Sequence, residues 1–94
     1  MSGHAPVVHN AAAHRFESVI DGLLCEASYD IADGVMRMLH TGVPRQLEGR
    51  GIAAALVKAA LAHAREKGLR VKPLCSYVRV YMRRHPETLD LLAA

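Results

Sequence analysis

The chain has 94 residues, 51% hydrophobic and 22% charged, a globular balance whose length points to one domain, residues 1–94. Its net charge of +3 favours anionic partners without choosing among them. Cys25 and Cys75 form no CxxC pair, no apolar run is long enough to span a membrane, and Met1 to Pro6 carries no secretory pattern, so a disulfide scaffold, a thiolate zinc site and a membrane span are disfavoured and a cytoplasmic location is expected.

Residues 1–5 read as a loose end. Val7 to His9 is a short edge strand, and His14 to Ile20, carrying Phe16, Val19 and Ile20, is a second. Asp21-Gly22 then supplies the positive-φ pair of a tight hairpin. In Leu23 to Ile31 the residues Leu23, Cys25, Ala27, Tyr29 and Ile31 alternate with Leu24, Glu26, Ser28 and Asp30, a period-two strand with one buried face. Ala32-Asp33-Gly34 is the next turn. Val35 to Thr41 reads as a central strand, apolar on both faces except at Arg37, His40 and Thr41, and Pro44 ends it.

A polar loop over 45–49 leads into a helix from about Arg50 to Lys67. Ala53, Leu56, Val57, Ala60 and Ala64 lie on one face of it, with Lys58, Arg65 and Glu66 opposite and Gly68 as the terminator. Leu69 to Leu74 is a strand, parallel to the previous one because a helix crosses between them. Ser76 caps a helix through about Arg84, and Pro86 opens a last short helix ending near Leu92. The order defines an α+β fold with a mixed, mostly antiparallel sheet of about five strands, two main helices and a short C-terminal helix.

Gly49-Arg50-Gly51 stands at a helix start, where backbone N–H groups lack helical partners and the helix dipole adds positive potential. Glycine lets a phosphate reach that backbone, so the loop suits an anion, most naturally a pyrophosphate. A P-loop needs Gly-Lys-Ser/Thr, which is absent. The dinucleotide pattern GxGxxA is formally present at Gly49 to Ala54. It is misplaced, because the loop starts well after its strand and residues 69–72 contain no acid.

Gln46-Leu47-Glu48-Gly49-Arg50-Gly51 matches the Gln/Arg-x-x-Gly-x-Gly/Ala signature of the GNAT N-acetyltransferases. The wider chain resembles their short single-domain subfamily through His40-Thr41-Gly42-Val43-Pro44, Gly49-Arg50-Gly51-Ile52-Ala53, Pro73-Leu74-Cys75 and His85-Pro86-Glu87. The resemblance covers roughly residues 7–92 and implies acetyl-CoA or CoA as cofactor, its pyrophosphate on Gln46, Gly49, Arg50, Gly51, Ile52 and Ala53. It also implies that the pantetheine arm lies where the sheet splays, between strand 35–41 and strand 69–74, with Leu39 to Thr41 as backbone partners.

Acetyl transfer requires an ammonium to lose a proton, a donor for the oxyanion and a proton for the departing thiolate. Cys75, between a strand end and a helix start, is either an acetyl carrier with a lowered pKa or an inert thiol near the cofactor. Tyr81 is either the acid for the thiolate, as the resemblance implies, or packs on the sheet with Tyr77. His40 is either the base or a structural histidine. The remaining histidines show no ligand spacing, so no metal is expected. The subfamily usually carries Glu where this chain has Gly42, a departure that bears on transfer more than on CoA binding.

Three functions compete. The first is an N-acetyltransferase acting on an unidentified amine. The second is a CoA-binding module with little transfer activity. The third is a nucleic-acid-binding protein using Arg79, Arg83 and Arg84, disfavoured because no aromatic and basic stacking pattern accompanies them.

Overall fold

A computed structural model describes residues 6–94; residues 1–5, read above as a loose end, lie outside the described residues. Strands β1 (Val8–Asn10), β2 (Arg15–Ile20), β3 (Leu23–Ala32) and β4 (Val35–Gly42) precede helix α1 (Ile52–Glu66), and strand β5 (Arg70–Pro73) and helix α2 (Ser76–Arg84) follow it. Short 3₁₀ turns occupy Ala11–Ala13, Arg45–Leu47 and Pro86–Leu91. The expected α+β architecture, with five strands in one mixed sheet and two main helices, is the one observed. The final helical segment is a 3₁₀ stretch.

The sheet order follows the chain, β1-β2-β3-β4-β5, with antiparallel pairing up to β4 and parallel pairing of β4 with β5. Both hairpins turn on Asp-Gly with both residues at positive φ: Asp21 at 53° and Gly22 at 75°, Asp33 at 54° and Gly34 at 76°. Such two-residue turns match the twist of the strands they join. Between β3 and β4 the register slips by one residue: Ser28 faces His40 but Tyr29 faces Met38. Leu39 is therefore the extra residue of a β-bulge.

One face of the sheet is the core. Phe16, Cys25, Ala27, Tyr29, Met36, Met38 and Val71 pack with Leu56, Val57, Ala60, Leu61 and Ala64 of α1 and with Val78 and Met82 of α2. Leu24, Arg37, Leu39 and Lys72 on the opposite face are exposed, and that face carries ion pairs of Arg15 with Glu17 and Glu26 and of Arg37 with Asp30. Beyond β5, Ala93 N–H donates to Val71 O at 2.8 Å and partly covers the sheet edge.

Several local expectations are corrected. α1 starts at Ile52 and not at Arg50, because Gly51, at φ 78°, is in the left-handed region that a right-handed helix cannot include. Its buried face includes Ile52 and Leu61, while Ala53 is only half-buried. The loop read as polar holds Leu47, which is 1% exposed and anchors the loop in the core. The N-cap of α2 is Cys75, with Ser76 already inside the helix. β4 is central in the sheet but covered on one face only, so Leu39 is 42% exposed.

Candidate cofactor and acyl-transfer site

The glycine loop is held from below. Leu47 is buried, and its N–H closes a turn onto Pro44 O at 2.9 Å. Gly49 and Gly51 both have positive φ, 82° and 78°. Ala55 N–H donates to Gly51 O at 3.1 Å, the bond that opens the helical ladder of α1. The N–H groups of Gly51, Ile52, Ala53 and Ala54 precede that ladder and are the helix's open donors. No acid stands in the first turn to compete for them, and no side chain caps them. A Cβ added at either glycine would meet no protein atom within 4 Å, so the space before this backbone is open.

The second half of the site is a parting of strands. β4 and β5 pair from Val35↔Arg70 to Met38↔Pro73. Met38 O then accepts from both Leu74 N–H and Cys75 N–H, each at 3.0 Å. The chain turns there into α2 while β4 runs on to Gly42, so β5 gives no ladder partner to residues 39–42. A cleft of about 490 Å³ fills the gap. Thr41, Gly42 and Val43 line one wall, Tyr77 the other, and the glycine loop closes the end.

Cys75 is half-buried beside this cleft, its Sγ 3.5 Å from Thr41 Oγ1. Burial pushes the thiol up, but the Thr41 hydroxyl and the backbone N–H groups of Val78, Tyr77 and Thr41 outweigh it, so the net shift is downward. The sulfur at an open helix end thus gains thiolate character. Cys25, fully buried in the core, is pushed up by burial alone. Burial also raises the Tyr77 phenol, partly opposed by the charge of Arg84, and keeps it protonated at neutral pH.

Of the residues expected to hold cofactor, Thr41, Gly49, Gly51, Ile52 and Ala53 line the one cleft. Leu39 is the bulge residue, at the point where the β5 ladder has ended. Gln46 sits in the supporting 3₁₀ turn and does not line the cleft. Arg50 does not line the cleft and lies 3.8 Å from Asp21 in an exposed pair. His40 is exposed on the last residues of β4, with its ring against Gly42.

Tyr81 faces a different groove, of about 430 Å³, between α1 and the Pro86–Leu91 turn. Its ring stacks on His85, with centroids 4.0 Å apart. The tyrosine in the cleft is Tyr77, one helical turn earlier. Gly42, Val43, Leu47, Glu48, Ala54 and Tyr77 complete the lining without having been singled out as cofactor contacts. The available signal was an apolar Val43 and Leu47 inside a polar turn, and a tyrosine two residues after Cys75. Among the described residues no group of His, Cys, Asp and Glu is arranged to hold a metal ion, and no helix is long and apolar enough to cross a membrane.

An antiparallel meander, a glycine-loop helix and a strand pair that parts beside the loop make up a fold of the N-acetyltransferase type. Residues 15–91 match the GCN5-related N-acetyl-transferase family model, and the chain belongs to that family. It superposes on a GCN5-like protein from Staphylococcus aureus, solved by NMR in solution, with a TM-score of 0.77 and 26% identity over 97% of this chain and 90% of that one. Protein NATD1 of Homo sapiens is 38% identical over 52 residues, covering 55% of this chain and 46% of NATD1. Protein NATD1 of Gallus gallus is 38% identical over the same length, 47% of its own chain. The matched region thus spans about half the length of these curated relatives.

Proposed function

We propose that this chain binds acetyl-CoA and transfers the acetyl group to an amine. The observation that carries the reading is the convergence of the open N-terminus of α1, its bare glycine backbone and the β4–β5 gap on one cleft. The residues present fit the cofactor: donors for a pyrophosphate stand at one end, and unpaired strand backbone for an amide-bearing arm runs along one wall. Charge-assisted hydrogen bonds of about 1.5–3 kcal/mol each make a few such donors an effective anchor.

Acetyl-CoA supplies a thioester whose carbonyl carbon accepts an amine. The chain orients it through residues 49–54 and through β4 at Leu39 to Thr41. His40 would remove a proton from the amine, and the phenol of Tyr77, which lines the cleft where Tyr81 does not, would donate to the leaving sulfur. Cys75, its thiolate favoured by Thr41, is the alternative first acceptor in a two-step route. The whole chain serves as one cytoplasmic domain, consistent with both cysteines being free thiols.

The second reading, a CoA-binding module with little transfer, is favoured by Gly42, which brings no side chain to the cleft. Calorimetry with CoA and with acetyl-CoA tests the binding, and native mass spectrometry tests co-purification. Absence of binding by the unmodified protein would end the proposal. Binding without acetylation of any amine would leave the module.

A further inference from the structure

Gly42 is the last residue of β4, it lines the cleft, and it stands opposite Glu26 in the β3–β4 register. Its φ is outside the left-handed region, so no backbone strain explains the glycine. What explains it is the space in front of it. A Cβ at this position would lie 3.0 Å from His40 Nε2 and 3.9 Å from Glu26 Cγ. The imidazole and the Glu26 side chain therefore share the room that a side chain at Gly42 would fill.

The charges around Glu26 are uneven. Glu17 stands opposite Glu26 on the neighbouring strand. Arg15 holds Glu17 by a direct hydrogen bond and reaches Glu26 only at 3.7 Å. One guanidinium shared by two carboxylates leaves a net negative charge on this stretch of the open face. The Glu26 side chain is 31% exposed and so is reachable by a ligand. The position lies beside the cleft, on the sheet face that carries no helical layer.

We propose that Glu26 and His40 form the acceptor subsite: Glu26 binds a primary ammonium with no carboxylate beside it, and His40 Nε2 takes its proton. The inference rests on the acetyl-CoA reading above and deepens it by naming the acceptor class. A cationic alkylamine or a lysine side chain meets a carboxylate only partly compensated by Arg15, whereas a free amino acid would bring its own carboxylate against Glu26. Proton removal exposes the nitrogen lone pair, which forms the C–N bond as the thioester C–S bond breaks. Of the ammonium's three protons, one stays on the amide, one passes through His40 to solvent, and one ends on the released CoA thiol.

The test is steady-state acetylation of cadaverine, of a neutral lysine peptide and of free glutamate by wild type, Glu26→Gln and His40→Gln. CoA affinity of each is measured in parallel by calorimetry. Cadaverine and the peptide should be acetylated and glutamate should not. His40→Gln should lower kcat by about 10²-fold or more. Glu26→Gln should raise KM for cadaverine several-fold with kcat little changed. Both variants should bind CoA as wild type does.

A wild type that binds CoA but acetylates glutamate as well as cadaverine, or no amine at all, overturns the acceptor assignment and leaves the cofactor site standing. So does a His40→Gln protein with wild-type kcat, or a Glu26→Gln protein with wild-type KM. A wild type that binds no CoA removes the cofactor reading and this inference together.

Discussion

Replacing Gly51 separates two demands that the loop makes on this residue. The first is conformational: φ is 78° and ψ 13°, left-handed backbone. A residue with a Cβ in that region costs about 1–2 kcal/mol, and Asn tolerates it better than Ala. An added Cβ would meet no protein atom within 4 Å, so no clash adds to this cost. In a domain of this size each kcal/mol moves the melting temperature by about 4–8 °C. Gly51→Ala should therefore melt several degrees below wild type, with Gly51→Asn in between.

The second demand is the bare approach to the open N–H groups of α1. Both variants place a Cβ in the space that a pyrophosphate would use. Loss of a single charge-assisted hydrogen bond, about 1.5 kcal/mol at the low end, weakens CoA binding by about tenfold. Circular dichroism melts and calorimetry read the two effects separately. The affinity loss should persist in Gly51→Asn even where its stability returns. A well-folded Gly51→Asn protein with wild-type CoA affinity would refute the cradle. A Gly51→Ala protein with wild-type melting temperature would refute the backbone argument.

Leu47→Ala empties a site only 1% exposed and should cost about 2–5 kcal/mol, with weaker CoA binding as the loop loses its anchor; melts and calorimetry check both. Thr41→Val removes the hydroxyl that helps lower the Cys75 thiol, so alkylation of Cys75 by iodoacetamide at neutral pH should slow, and an unchanged rate would exclude that hydrogen bond as a cause. His9 is held below its ordinary 6.5 by burial and by His63. Just below pH 6.5 the unfolded chain then binds more protons at this position than the folded one, so His9's contribution to stability is complete above that pH and declines as pH falls. His9→Gln should make the acid side of the melting profile shallower, and an identical slope would show that other groups set it.

The strands, the Asp-Gly hairpins and the crossover helix were legible in the sequence because each depends on neighbours in the chain. Alternation through Cys25, Ala27 and Tyr29 needs only a one-sided strand, and Asp21-Gly22 needs only a turn with two positive φ angles. The Gln46 to Gly51 signature located the glycine loop for the same reason, since its glycines and the helix start are contiguous. Where the chain is read alone, it blurs at loop ends. Leu47 looked like a residue of a polar loop because nothing local tells that its side chain reaches the core.

The sequence by itself thus determined the fold class, the family signature and the glycine loop at the start of the crossover helix. Only the tertiary structure decided which side chains meet around it. The bulge at Leu39 shifts the end of β4 by one residue against β3 and sets Glu26 opposite Gly42, with His40 over both. The end of the β4–β5 ladder at Met38↔Pro73 sets where α2 departs, and so which of two tyrosines four residues apart enters the cleft. Four residues are about 6 Å along a helix, more than the width of a hydrogen bond, and helical periodicity places both rings on one side. Register and strand separation are fixed by packing between residues distant in the chain, and no local pattern encodes them.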